Sequence, residues 1–292
     1  MSILERGGLA RQLLSARIAF RRLPRTLRRH LQRGRGQYHL LCPAFGGNRA
    51  ALGRDDAGGV PLLCQVSRDI SHEGDLRERL GAAGDFLELL APLGERVSPL
   101  WLQLSAAFTP QRLGELLYFL DELSPRRIAV EVRHPAFFDK GEDERLLNRH
   151  LRERGVERIC LDSRALFSCR SDDPAVLHAQ SKKPRLPIRP AAFSDTPQVR
   201  FIGGPDLPAN EVFLLPWVDK VADWIEAGLT PYVFLHTPDN HLAAQQAQRF
   251  HALLRQRLPG LPTLPEPISA RKWSNWACSE RGARRSAGLR LG

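Results

Sequence analysis

The sequence is poor in the features that staple, anchor or metallate a chain. Its five cysteines, at 42, 64, 160, 169 and 278, are odd in number and scattered, with no CxxC and no histidine at ligand spacing. That excludes a disulfide framework and a structural zinc site, and it fits a reducing compartment, so a cytoplasmic protein is expected. No apolar run is long enough to span a bilayer, and the arginine-studded N-terminus holds no stretch of signal-peptide length, so no membrane partner is expected. No glycine-rich phosphate turn of the Rossmann or P-loop type follows any apolar run, which argues against an open nucleotide-binding sheet. HxH and HExxH are also missing, so no metal is assigned, and no cofactor follows from the residues.

Charge is abundant but unevenly placed. The net charge is +11, yet residues 1–60 hold 12 Arg/Lys against 3 Asp/Glu, residues 266–292 hold 6 against 2, and residues 61–265 hold 25 against 27. All the basicity therefore lies in two Arg-rich, weakly periodic ends, which read as solvated tails or as an arm for nucleic acid. The expected organisation is an atypical N-terminal segment (1–60), a regular domain (61–265) and a basic tail (266–292).

The middle alternates short apolar runs with helical patterns. PLLCQV (61–66), PLWLQLS (99–105), RIAVEVRH (127–134), RICLDS (158–163), VRFIGG (199–204) and PYVFLHT (231–237) read as strands. Between them the spacing predicts helices from about Glu73 with Ser71 as cap, from about Gln111, over 142–154 with Gly155 as stop, from about Pro216, and over 242–258. Residues 164–197, with SKKPRLP, read as a long polar loop. Strands alternating with helices imply parallel pairing and right-handed crossovers. Period-two alternation then favours a TIM-type (β/α)8 barrel, with Leu100, Leu102, Leu104, Val130, Val132, Ile159 and Leu161 toward the helices. Trp101, Gln103, Ser105, Glu131, Arg133, Cys160 and Asp162 would face the interior.

LLCQVSRDISHEGDLRERL, LWLQLSAAFTP, IAVEVRHPAFFDKGEDERLLNRHL, RICLDSRAL, SKKPRLP, VRFIGG and PYVFLHTPDN resemble the YecE-like proteins, a (β/α)-barrel family without an established biochemical function. The resemblance runs from about Gly59 to Leu264. Residues 1–60 lack the Gly-Thr-Ser-Gly-Trp-like first strand and the Val-Glu-x-Asn-like second strand that such proteins carry. The resemblance thus implies an incomplete barrel in which two of eight strands have no clear source, with HLLC (39–42) as one short candidate.

Barrel enzymes work at the C-terminal ends of their strands. That placement nominates Glu131, Arg133, His134 and Asp162 as catalytic residues, with Gln65, Gln103, Arg200, His236 and Asp239 as binding residues. Glu131, Arg133 and Asp162 are expected to form one inward network in which neighbouring charges separate an acid from a base. Other roles stay open: His134 as a structural hydrogen bonder, His72 as part of a helix cap, Phe137 and Phe138 as a packing plug, and Lys182, Lys183 and Arg185 as phosphate contacts or solvated loop. The expected function is acid/base chemistry on a small polar or phosphorylated ligand at the barrel mouth; the alternatives are nucleic-acid binding through the basic ends and SKKPR, or a barrel without catalysis.

Overall fold

The structure is a computed structural model that describes residues 63–91, 97 and 99–264, together with the backbone of Leu40–Leu41. The basic ends lie outside the described residues, so the readings that rest on them have no structural counterpart below.

Six parallel staves form the centre. They are Leu63–Cys64 (β2), Leu100–Gln103 (β3), Ile128–Glu131 (β4), the stretch Glu157–Arg158 (β5) plus Cys160–Asp162 (β6), Gln198–Ile202 (β7) and Tyr232–His236 (β8). Each pairs with the next in chain order: Gln65 bridges to Trp101, β3 pairs with β4, β4 with β5, β6 with β7, and β7 with β8, all parallel. β5 and β6 are one stave that changes partners at Ile159, whose N–H donates to the Val130 carbonyl at 2.9 Å. Leu40–Leu41 (β1) pairs antiparallel with β2. Within HLLC, Leu40–Leu41 therefore makes a short strand in the wrong sense for a missing stave. Among the described residues no pairing joins β8 back to β2, so the sheet is not closed.

Between the staves lie the helices Leu80–Leu90 (α1), Leu113–Glu122 (α2), Glu142–Glu153 (α3), Pro174–Lys182 (α4) and Leu207–Glu226 (α5), and Ala243–Arg257 (α6) follows the last stave. Three differ from expectation for local reasons. The first helical stretch is capped by Asp75, which accepts from the Arg77 N–H, while Ser71 closes a preceding turn, Arg68–Ser71. The polar 164–197 segment contains a helical turn, Arg164–Ser168, and α4, which starts on an Asp173 cap with Pro174 at its first position. Because α4 buries only Val176 and Ala179, it leaves no apolar stripe to read. α5 begins at Leu207, nine residues before Pro216, since Asp206 caps it and the proline sits inside it. Its start packs closely under the VRFIGG strand end: Asn210 Oδ1 accepts from the Gly204 N–H at 2.8 Å, and a Cβ on Gly203 would meet Asn210 Nδ2 at 2.7 Å. A side chain at 203 would displace the Asn210 amide and with it the bonds it makes to Gly204 and Gln246.

Two apolar layers show how the sheet curls. Leu100, Leu102, Leu104, Ile128, Val130 and Val132 pack against α1–α3, and Cys160, Val199, Phe201 and Val233 against α5 and α6. On the other face Leu63, Trp101, Ala129, Ile159, Tyr232 and Phe234, drawn from the first stave to the last, form one cluster. Trp101 and Phe234 lie 5.1 Å apart between ring centroids. The alternation thus holds for β3 and β4 and is reversed in the 157–162 stave. There Ile159 and Leu161 point inward, while Cys160 and Asp162 point at the helices. The reversal follows from register: Arg158 sits opposite outward Val130, which fixes the phase of the rest.

Candidate functional site

Above the inner apolar cluster, the C-terminal ends of the staves carry polar residues. Glu131, the inward residue that ends β4, is fully buried. Arg133, two residues on, donates from Nε to Glu131 Oε1 at 2.8 Å, and Arg200 from β7 donates from Nη1 to Glu131 Oε2 at 3.0 Å. Gln103 Oε1 accepts from Arg133 Nη2 at 2.8 Å and from Arg200 Nη1 at 3.1 Å, which fixes the amide so that its Nε2 points away. The Arg200 guanidinium also lies over the Trp101 ring, 5.0 Å from its centroid. Two nearly buried guanidiniums therefore share one carboxylate and one amide oxygen, and a buried aromatic face backs one of them.

The electrostatics bear on the charge of Glu131. Burial opposes its charge, but the guanidiniums of Arg200 and Arg133 outweigh burial and hold the carboxyl at about 2. A carboxylate held that low is ionised near neutrality and pairs with both guanidiniums. The arginines keep donors in reserve. Arg200 Nε is buried and, among the described residues, has no partner; Arg133 Nη1 and Arg200 Nη2 also make no hydrogen bond there.

The network extends through His72. Gln103 Nε2 lies 3.4 Å from His72 Nε2, His72 Nδ1 lies 2.8 Å from Ser71 Oγ, and Ser71 Oγ donates to the Ser67 carbonyl at 3.0 Å. With the Ser71 proton committed to Ser67 and the Gln103 amide facing His72, the chain is consistent only with Nδ1–H donating to Ser71 and Nε2 accepting. Burial, then the nearby Arg68 and Arg133, lower the His72 pKa, in keeping with that neutral imidazole.

The other nominated residues divide. Gln65 is inward and buried at the end of β2. His236 ends β8 half-buried, with Nδ1 3.2 Å from Asn240 Oδ1. Asp239 is exposed and caps its own turn by accepting from the His241 N–H, so it does not join the group. His134 Nδ1 accepts from the Ala136 N–H at 3.3 Å and caps the turn Pro135–Phe137, which is the structural hydrogen-bonding role. Asp162 is not brought to Glu131. It faces α5, accepting from Trp217 Nε1 at 2.8 Å and from the Arg164 backbone N–H and guanidinium, and so locks α5 to the sheet. The expected Glu131–Arg133–Asp162 network is replaced by Glu131–Arg133–Arg200–Gln103, because the stave carrying Asp162 has the opposite phase.

Phe137 and Phe138 are core residues. The segment they end is held by Arg158, which donates to the Phe137 carbonyl at 2.5 Å and stacks on the Phe138 ring, and by Arg189, which reaches the Phe138 carbonyl and Glu144.

Two further residues near the arginines are read from sequence in other ways: His72 as part of a helix cap, and Lys183 as a phosphate contact or solvated loop residue. Lys183 sat in a polar run, and nothing in its neighbourhood signalled a helix to position it. It is half-buried at the end of α4, where burial first, then Arg200 and Arg133, lower its ammonium pKa to about 7 against an opposing pull from Glu131. Among the described residues no three His, Cys, Asp or Glu side chains gather as a metal site, and no helix is long and apolar enough to cross a membrane.

Comparison with known proteins gives a consistent result. The family described as "Protein of unknown function DUF72" matches residues 61–269. Two curated relatives, both named UPF0759 protein YecE, from Escherichia coli strain K12 and from Escherichia coli O157:H7, are each 42% identical over 207 residues, covering 68% of this chain and 75% of the relative. A crystal structure of a DUF72 family protein from Enterococcus faecalis V583 superposes with a TM-score of 0.52 at 14% identity, over 73% of this chain and 80% of that one, a likeness of fold.

Proposed function

The chain belongs to the DUF72 family of proteins of unknown function, and we propose that its six staves are the last six of an eight-stranded barrel whose mouth binds a small anionic substrate through Arg133 and Arg200. One observation carries this reading. Two guanidiniums are held almost out of solvent around a single carboxylate, which leaves a surplus positive charge and unspent N–H donors at the C-terminal end of the sheet, including the buried Arg200 Nε. Burying such cations is costly, several kcal/mol each without full pairing. A phosphate or carboxylate accepting from both forks would complete the pairing. Below this point the inner face holds a cluster of aromatic and aliphatic side chains, with Gln198 and Glu157 buried on the same face, and the cluster suits the uncharged body of a small molecule with one charged end.

On this reading Glu131 and Gln103 are positioning residues and the arginines are the binding residues. Any proton transfer at the mouth falls to groups other than Glu131, and His72 and His236 are imidazoles at the same strand ends. The test is isothermal titration of the full chain with inorganic phosphate and with a short dicarboxylate. Arg200→Lys keeps the charge but removes the fork, and Arg200→Met removes both. Binding weakened at least tenfold by Lys and abolished by Met, with each variant folded by circular dichroism, is the expected result. Equal affinity in all three proteins, or no anion bound by the parent, would overturn the proposal.

A further inference from the structure

α4 lies across the C-terminal ends of β6 and β7. Its Val176 and Ala179 pack against Leu161 and Ile202, the last inward residues of those staves, together with Leu166. It is tied there by Gln180 Nε2, which donates to the Leu166 and Cys169 carbonyls at 3.0 and 3.1 Å. Its exit is pinned as well: the Lys183 N–H donates to the Ala179 carbonyl at 3.1 Å, and Ser163 Oγ, next to the end of β6, donates to the Pro184 carbonyl at 2.8 Å. The backbone on both sides of Lys183 is therefore held against the rim that carries Arg200, two residues before Ile202 on β7. The side chain is half-buried and, among the described residues, has no acidic or hydrogen-bonding partner for its Nζ.

We propose that Lys183 is a nucleophile of the mouth, its ε-amine condensing with the carbonyl carbon of an aldehyde or ketone whose phosphate or carboxylate is held by Arg133 and Arg200. The amine nitrogen forms a C–N bond, the carbonyl C–O bond breaks, and the oxygen leaves as water with two protons from the amine; no oxidant or reductant is consumed. Partial burial first, and then the guanidiniums of Arg200 and Arg133, favour the unprotonated amine, in keeping with the pinned position of Lys183 at the rim. The class of substrate is a small carbonyl compound with one anionic end. The inference rests on the anion-binding reading above and adds the bond that the site would make.

The experiment uses the full chain, pyridoxal phosphate as an aldehyde carrying a phosphate, and pyridoxal as the same aldehyde without one. Each is added at limiting concentration and trapped with borohydride, which delivers hydride to the imine carbon. The sequence has only five lysines, at 140, 182, 183, 220 and 272, so peptide mapping resolves every site. The expected result is a single adduct on Lys183, at least tenfold over its neighbour Lys182, formed at least tenfold faster with pyridoxal phosphate than with pyridoxal and blocked by excess inorganic phosphate. Lys183→Arg, with an unchanged melt, should lose that adduct. Labelling spread evenly over the lysines, or unaltered in Lys183→Arg, overturns the nucleophile. Selective labelling of Lys183 that is equally fast with both aldehydes and indifferent to phosphate supports the nucleophile and overturns the anion-binding reading beneath it.

Discussion

Replacing Glu131 with glutamine separates a positioning carboxylate from a catalytic one. The substitution keeps shape and one acceptor oxygen but removes the charge that two buried guanidiniums share, and it turns an N–H donor toward one of them. The size of the effect follows from the carboxyl being held at about 2 against an ordinary value of 4.5. That difference corresponds to roughly 3 kcal/mol of folding stability at neutral pH. The sign is that of a depressed acid. The unfolded chain takes up the proton at higher pH than the folded one, so the contribution is complete above pH 4.5 and disappears as pH falls through about 2. Urea unfolding at a series of pH values is the assay. Glu131→Gln should lose roughly 3 kcal/mol at pH 7, about 10 °C in melting temperature for a body of this size, and should lack most of the parent's climb in stability between pH 2 and 4.5. A variant that melts within about 2 °C of the parent and keeps the climb would refute the view that Glu131 is held ionised by its arginines.

Three further outcomes follow from other buried groups. Burial raises the Glu157 carboxyl to about 7 in spite of its bonds from Ser194 and Phe193, so its contribution is complete below pH 4.5 and is lost as pH rises through 7. Glu157→Gln should therefore gain on the order of 3 kcal/mol over the parent at pH 8 and nothing at pH 4, as read from chemical unfolding at the two pH values. Trp217→Phe removes the donor that reaches Asp162 from α5 and should cost about 2 kcal/mol, measured by thermal melt, without altering phosphate affinity. Gln103→Leu leaves Arg133 and Arg200 without their shared amide oxygen and His72 without its donor; it should weaken phosphate binding severalfold in calorimetry while the fold persists.

The alternation of strands and helices was legible because each stave is a short apolar run between helical patterns, and the helix stop at Gly155, whose φ is +60°, was legible from residue type. Glu131, Arg133, Gln103 and Arg200 could be nominated because strand ends alternate, and all four sit on the inward phase. Asp162 was misplaced for the same reason. RICLDS alternates Ile159 and Leu161 with Arg158, Cys160 and Asp162, and composition cannot show that Arg158 is turned outward to meet Glu144, Asn148 and the Phe137 carbonyl, which puts the aliphatic phase inside. α4 was missed because a helix that buries two small apolar residues carries almost no periodic signal, and Lys183 was hidden with it. His134 beside Pro135 has the look of a catalytic residue, yet its geometry is that of a cap. The lesson is local: inward-facing polar residues are readable from period and register, whereas residues positioned by loops and weak helices are visible only once the chain is folded.

The central claim is that Arg133 and Arg200 form an anion site at the mouth, and a crystal soaked in tungstate, a heavy stand-in for phosphate, tests it most directly. The account predicts an anomalous peak within hydrogen-bonding distance of both guanidiniums, lost in Arg200→Met. Peaks only on exposed arginines elsewhere, with the mouth of the parent protein empty at the same concentration, would contradict it.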